Sequence, residues 1–456
     1  MIGGSGQHSV RPSLSVFPTM RLHALQHHLN SRWGPMKILV HGINYAPELT
    51  GIGKYTAEMA EMLAGKGHSV HVVSAPPYYP EWRIANGYSG RRYSIENRNG
   101  VRLWRAPLWV PSRPKGVKRI AHLASFALSS LPVMLRHVLW RPDIVICIAP
   151  SLLNAPAGWL VARLTGAHAW LHIQDYEVDA AFSPCMLKGS LLKRTAHALE
   201  RVLMKRFDTV STISGKMVEH ALRKGIDPRR VVHFSNWADT DSIYPLKRAS
   251  GLRATLNIPD AAKVILYSGN MGAKQGLDVL GAAAKRLGSR DDLVFVFCGN
   301  GPARDELIAL CCDLRYCRFI DRQPVERLNE LLNLADIHVL PQRADAADLV
   351  MPSKLTGMFA SGQPVIAMAN PGTELHDAVS RRGVVVPPGD PAALAAAIGE
   401  LASNASERAR LGKAGREFAQ AVLSREAVLR DFEARLCALS TVSSNSQASV
   451  ARRPDF

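Results

Sequence analysis

Val264-Ile265-Leu266-Tyr267 runs without a break into Ser268-Gly269-Asn270-Met271-Gly272-Ala273-Lys274-Gln275-Gly276-Leu277, a short apolar strand that turns through glycines into a helix. Backbone amides at such a helix start, with Lys274 beside them, suit a bound diphosphate. A plain strand-to-helix turn explains the glycines but not the lysine. Upstream, from Asp239 to Pro259, the pattern breaks into a stretch containing Pro and Arg, which marks a domain boundary. Downstream, apolar runs recur at Leu293 to Cys298, Arg318 to Ile320, Ile337 to Leu340, Val365 to Ala367 and Val384 to Val386. The same alternation precedes the break, at Ile38 to His41, Val70 to Ser74, Val101 to Trp104, Ile144 to Ile148, Trp170 to Ile173, Thr209 to Ile213 and Val231 to Phe234. Strands alternating with helices predict a parallel sheet wrapped by helices. Two such series in tandem predict an α/β fold of two doubly wound, Rossmann-like domains, with a ligand cleft between the carboxyl ends of both sheets.

The expected organisation is a disordered extension over 1–35, an N-terminal domain over 36–240, a C-terminal domain over 241–439 that keeps the terminal helices, and a disordered tail over 440–456. Residues 1–35 hold no Asp or Glu, three Arg and four His, and no apolar run of signal-sequence length. Met36 reads as the functional start, with a basic membrane-tethering arm as the alternative for what precedes it.

The chain has 456 residues, 47% of them apolar and 21% charged, the balance of a soluble globular protein too long for one core. Its formal charge of +18 implies an acidic partner: nucleic acid, anionic lipid or a phosphate-rich small molecule. Aromatic residues are only 7% and the basic residues are dispersed without a nucleic-acid-reading signature, so no nucleic acid partner is expected. The cluster Cys311, Cys312 and Cys317 lacks zinc-ligand spacing, and the seven cysteines read as reduced thiols of a cytoplasmic protein. The apolar stretch from Ile120 to Trp140 is interrupted by His122, Pro132, Arg136 and His137, which argues against spanning. It reads either as a basic amphipathic helix on an anionic surface or as an ordinary half-buried helix.

Four further motifs carry chemistry. The loop Asn44 to Tyr55 has Gly51 and Gly53 ahead of a helix, but Glu48 and Tyr55 stand where a P-loop needs Gly and Ser or Thr, so a nucleoside triphosphatase is disfavoured. Cys298-Gly299-Asn300-Gly301-Pro302 reads mainly as a sharp structural turn. In Asp348-Leu349-Val350-Met351-Pro352-Ser353-Lys354-Leu355, Ser353 and Lys354 open a helix that carries its own cation, a seat for a leaving diphosphate. His172-Ile173-Gln174-Asp175-Tyr176-Glu177-Val178-Asp179 ends a first-half strand and faces the cleft. There Asp175 or His172 takes an acceptor proton or hydrogen-bonds a transferring sugar. Asp239-Thr240-Asp241 matches a metal-binding D-x-D but sits in the linker, so it reads as a turn and no essential metal is expected.

From Met36 to about Leu439 these features resemble retaining glycosyltransferase family 4 of the GT-B fold. The strings at His172 to Asp179 and Ala347 to Leu355 are most similar to the colanic acid and exopolysaccharide fucosyltransferase branch. The resemblance implies a nucleotide-sugar donor, GDP-fucose or similar, and a lipid-linked saccharide acceptor. It implies work in the cytoplasm at an anionic membrane surface, with no cofactor and no metal. It further implies that Gly51 and Gly53 approach donor phosphate or acceptor, that His172 contacts the sugar, and that Lys274, Ser353 and Lys354 hold the diphosphate. Asn270 and Gln275 stand where the family carries Arg and Lys, and Asp348 substitutes for the first of a glutamate pair whose positions map to Leu349 and Gly357. A sugar-nucleotide epimerase of the same architecture is the alternative enzyme reading, and a non-enzymatic nucleic-acid-binding protein the other.

Overall fold

The computed structural model describes residues 34–48, 51–112, 116–181, 190–248, 250–272, 275–288, 290–343 and 352–450, and every element below lies in the compact unit Met36–Phe456. The chain opens with β1 (Lys37–His41), α1 (Ile52–Gly65) and β2 (Ser69–Ser74), then folds β3 (Ser94–Arg98) and β4 (Val101–Arg105) into a hairpin before the long α2 (Val117–Trp140). The first half continues with β5 (Ile144–Ala149), α3 (Ala155–Thr165), β6 (His168–Ile173), α4 (Glu177–Ala181), α5 (Ser190–Met204), β7 (Thr209–Thr212), α6 (Gly215–Arg223) and β8 (Val231–His233).

These strands make one sheet in the order β3-β4-β2-β1-β5-β6-β7-β8, with β3 antiparallel to β4 and the other pairs parallel. The register sets Val40 beside both Val72 and Ile146. Strand β5, Ile-Val-Ile-Cys-Ile-Ala, is buried at every position, because helices cover both faces of a central parallel strand. Met134 of α2, Val161 of α3, Met204 of α5 and Met217 of α6 share one face with Leu39, Val145 and Leu171. On the other face α1 packs Met59 and Leu63 against Ile38, Val40 and Val72.

The second half runs α7 (Leu252–Thr255), β9 (Lys263–Ser268), α8 (Leu277–Arg286), β10 (Leu293–Cys298), α9 (Arg304–Leu310), β11 (Cys317–Ile320), α10 (Leu328–Leu332), β12 (Ile337–Leu340), α11 (Ser353–Ala360), β13 (Val365–Met368), α12 (Glu374–Val379) and β14 (Val384–Val386). Its six strands are parallel, in the order β11-β10-β9-β12-β13-β14. Helices α13 (Pro391–Ser403), α14 (Ala405–Val422) and α15 (Arg425–Val450) follow. Strand order reverses beside β1, between β2 and β5, and beside β9, between β10 and β12. Such switch points open crevices at the carboxyl ends of the strands.

Three features depart from the sequence reading. Strand β3 was not expected, since Ile95 is its one apolar residue. Asn99 and Gly100, at φ of 46° and 81°, make the Asn-Gly hairpin turn that pairs it with β4. Helix α15 belongs to the first sheet, not to the second domain. Its Leu429, Phe432 and Leu436 are buried in the first core, with Phe432 stacked on Phe234 at 4.1 Å and edge-on to Trp170 at 5.3 Å. The chain therefore crosses between the halves twice: Ala238 N–H donates to Leu423 O at 2.7 Å, and Arg425 N–H to Ala238 O at 3.0 Å. The expected boundary at 439 thus moves back to about Ser424, because an apolar helix stripe in a sequence does not say which sheet it covers. The tail expected to be disordered from 440 is helical as far as Val450. In the linker, Asp239 takes the Ser242 N–H at 3.1 Å and the Ser242 hydroxyl at 3.0 Å, and pairs with Arg425 at 3.4 Å, a turn-forming role.

Candidate active site

The carboxyl ends of β9 and β10 are held together by glycines. A side chain on Gly299 would overlap the Gly269 carbonyl, and one on Gly301 the Met271 carbonyl, at φ of 143° and 151°. Two backbone loops therefore lie in contact, with Met271 N–H donating to Asn300 O at 3.0 Å and Ala303 N–H to Met271 O at 2.9 Å. The missing side chain of Gly301 is thus accounted for by this packing. Gln275 Oε1 accepts the Gly272 N–H at 3.0 Å and closes the β9 loop, while Asn270 is exposed at its tip.

Through the space that Gly269 leaves runs Lys354. A Cβ on Gly269 would lie 2.6 Å from Lys354 Nζ and 2.9 Å from its Cδ. The ammonium donates to Tyr267 Oη at 3.0 Å and lies 4.6 Å from the ring centre, and Tyr267 in turn donates to Asn270 O at 2.5 Å. Burial pulls the Lys354 pKa down to about 8. Among the described residues no carboxylate pairs with it. Lys354 is the second residue of α11, whose first turn has no side-chain cap and no acid, and Ser353 beside it is exposed. Lys274, Asp348 and the stretch 344–351 lie outside the described residues.

Across from this cluster, the Thr356 side chain of α11 lies beside the Tyr55 hydroxyl of α1, and Lys216 N–H at the start of α6 donates to Glu374 of α12 at 3.0 Å. These contacts bring the two sets of strand ends face to face. In the β1 loop Glu48 is buried and clamps two loops. It accepts Asn44 Nδ2 at 2.9 Å and the N–H groups of Tyr78 and Tyr79 at 3.0 and 3.1 Å. Gly53 serves this clamp, since a Cβ there would meet Glu48 Oε2 at 2.7 Å. Glu48 thus fills the space that a side chain at Gly53 would take. Gly51, at φ 64°, is exposed and starts α1, whose first N–H groups have no side-chain cap.

At the end of β6, His172 is buried with Nδ1 2.9 Å from Ser211 Oγ, which also accepts the Trp170 indole at 2.7 Å. Burial lowers the His172 pKa to about 3. Such an imidazole stays neutral and suits hydrogen bonding to a sugar; burial disfavours its holding an acceptor proton. Asp175 follows, half-buried, and its charge helps burial to raise the pKa of Glu177, whose Oε2 accepts the N–H groups of Ser151 and Leu152 at 2.8 and 3.2 Å. Sequence reasoning missed what surrounds it. Glu177 Oε1, Ser151 Oγ and both amide atoms of Asn154 are buried without a hydrogen-bond partner among the described residues. Ser151 sits at φ 85° just past β5, beside the β1 switch point. The available signal was Ser151 and Asn154, two polar residues three apart, soon after an unbroken apolar strand.

Residues 50–237 match the family described as glycosyl transferase 4-like domain, and residues 251–418 match glycosyl transferases group 1. The chain is 42% identical over 408 residues to the putative colanic acid biosynthesis glycosyl transferase WcaI of Escherichia coli K12, covering 87% of this chain and 98% of that one. The chain is a family 4 glycosyltransferase of the GT-B fold. Solved structures agree on the fold of this glycosyltransferase. Sucrose-phosphate synthase from Thermosynechococcus elongatus superposes with a TM-score of 0.68 at 19% identity, over 89% of this chain and 100% of that one. Anabaena Alr3699/HepE, solved in complex with UDP-glucose, gives 0.64 at 14% identity, over 88% and 100%. Membership sets aside the epimerase and nucleic-acid readings.

Proposed function

We propose that this glycosyltransferase moves a sugar, with retention, from a nucleoside diphosphate donor to a lipid-linked saccharide at the cytoplasmic face of a membrane, in exopolysaccharide assembly. Lys354 carries the reading: a largely buried ammonium with no described carboxylate partner, next to uncapped N–H groups of α11. As the glycosidic bond breaks, negative charge grows on the leaving phosphate. A fixed cation and helix amides stabilise that charge more than they stabilise the intact donor. Ser353 adds a hydroxyl at the same helix start, and Lys274 and Asp348 keep their donor roles by resemblance alone. Because chain cations supply the charge, turnover is expected to need no divalent metal. GDP-fucose is the donor to try first, on similarity to the colanic acid branch.

On the acceptor side, the unmet polar atoms of Ser151, Asn154 and Glu177 suit sugar hydroxyls, and the neutral His172 suits the transferring sugar. Asp175 is the nearby carboxylate for the acceptor proton. No described carboxylate is arranged as a covalent nucleophile, which favours same-face substitution: the acceptor oxygen bonds the anomeric carbon, the bond to the diphosphate breaks, and the leaving phosphate assists proton removal.

The outer surface of α2 and α3 supports membrane contact. On α2 and at its C-cap Leu128, Arg136, Leu139 and Arg141 are exposed, the two leucines at 72% and 87%, Arg163 and Leu164 are exposed on α3, and neither helix contains an acid.

The deciding experiment is a thermal shift series with UDP, GDP and ADP, without metal, on the wild type and Lys354→Ala. A shift with one nucleotide that vanishes in the variant supports the reading and names the base. A shift from none of them overturns it.

A further inference from the structure

Residues of α4, α5 and α6 border an open surface cavity of about 860 Å³, lined by none of the residues of the Lys354 cluster. Its floor is a closed ionic network. Lys224 joins Asp179 at 2.9 Å to the buried Glu200, and His220 Nε2 lies 3.1 Å from Asp179. Burial opposes ionisation of Asp179, yet the His220 and Lys224 hydrogen bonds hold its pKa at about 2. The Lys224 ammonium already sits between the two carboxylates, so this grouping of acids and His197 holds a cation of its own.

The walls are different. Lys193, Arg194 and Arg201 from α5 line the cavity with Arg223 from α6, and all four are exposed. None of the three α5 cations has a carboxylate partner among the described residues. Like charges converging on one concavity repel, and a bound anion relieves that repulsion. On the same helix Leu191, Leu199 and Val202 are 74%, 57% and 51% exposed, and at 100° per residue they fall on one stripe next to Arg194 and Arg201. An amphiphile with an anionic head and an apolar tail matches both features. Asp179 follows Asp175 by four residues, which links the cavity to the end of β6.

We propose that this cavity binds a phosphate or diphosphate monoester headgroup, the chemistry shared by a lipid-carrier diphosphate and a soluble phosphorylated sugar. The lipid source rests on the proposed lipid-linked acceptor; the anion site itself does not.

The test is calorimetric titration of the full chain with inorganic pyrophosphate and with farnesyl diphosphate, the donor cleft filled by whichever nucleotide gives the largest thermal shift. The wild type is compared with the surface triple variant Lys193→Glu, Arg194→Glu, Arg201→Glu. Both probes are expected to bind the wild type and to weaken by at least about tenfold in the variant, with its nucleotide shift unchanged. Tighter binding of farnesyl diphosphate than of pyrophosphate assigns the lipid carrier, and equal binding assigns a soluble ligand. Equal affinity in the two proteins, or no binding of either probe to the wild type, overturns the site. A missing nucleotide shift alongside charge-dependent pyrophosphate binding faults the donor reading alone and leaves the cavity standing.

Discussion

An ammonium taken out of water costs free energy unless an anion meets it, and under the proposed function the donor diphosphate is that anion for Lys354. Losing one charge-assisted contact costs roughly 1.5–3 kcal/mol, so Lys354→Ala is expected to weaken nucleotide binding by roughly 10- to 150-fold, read by calorimetry. The sign of the pH dependence follows from the pKa of about 8 in the free enzyme. Below it the lysine is charged and affinity is flat. Above it binding must take up a proton, so affinity falls with rising pH, by up to about tenfold per unit. Affinity that stays level to about pH 9.5 would remove Lys354 from the phosphate site. Gly269→Ala is expected to do similar damage without unfolding the chain, because the new Cβ occupies the path of Lys354. Circular dichroism and nucleotide titration together check it, and unimpaired binding would sink the idea. Lys354 was legible in the sequence because a cation at a helix start after a strand is a local pattern. The unmet groups of Ser151, Asn154 and Glu177 were not, since a hydrogen bond left unmade is a property of packing. Gly53 is a related case: a sequence does not tell whether a ligand or a neighbour such as Glu48 fills the space of a missing side chain.

Elements were more legible than residues. Every expected strand is present, because central parallel strands such as β5 and β10 are buried on both faces and read as unbroken apolar runs. Edge strand β3 has one apolar residue and escaped, although Asn99-Gly100 marked its hairpin. Helix α2 could be read two ways, and in the fold it has one buried face and one exposed apolar face. His122, Phe126, Ser130, Met134 and His137 are buried, while Leu128, Leu135 and Leu139 face solvent. Sedimentation with vesicles tests that second face. The wild type is expected to bind anionic vesicles, to ignore zwitterionic ones and to be released by about 0.5 M salt, where charge is screened within a few ångströms. Leu128→Asp with Leu139→Asp should abolish binding while leaving the melting temperature within a few degrees, both side chains being exposed. Undiminished vesicle binding by that pair would assign the membrane contact to another surface.

At the scale of the whole molecule, the two halves are joined by paired crossings at Ala238 and Ser424, and Arg416 fastens the linker by donating to Ile243 O at 2.6 Å, Ala360 O at 2.7 Å and Thr240 O at 3.0 Å. The consequence is that the first sheet depends on the far end of the chain. Without α15, Trp170, Phe234 and Trp237 lose the cover of Leu429, Phe432 and Leu436. Phe432→Ala leaves a cavity between Phe234 and Trp170 and is expected to destabilise the first half by roughly 3–5 kcal/mol. The second sheet has its own core, with Leu394 and Ile398 of α13 and Leu411 of α14 packed on Ile265, Phe295 and Val339, and among the described residues none of that core comes from α15. A chain ending at Ser424 should therefore melt in two steps, the earlier one insensitive to nucleotide and the later one still raised by it, since the Lys354 cluster lies wholly in the second half. Scanning calorimetry with and without nucleotide separates the two. A single transition at the wild-type temperature would mean that α15 contributes little to the first sheet.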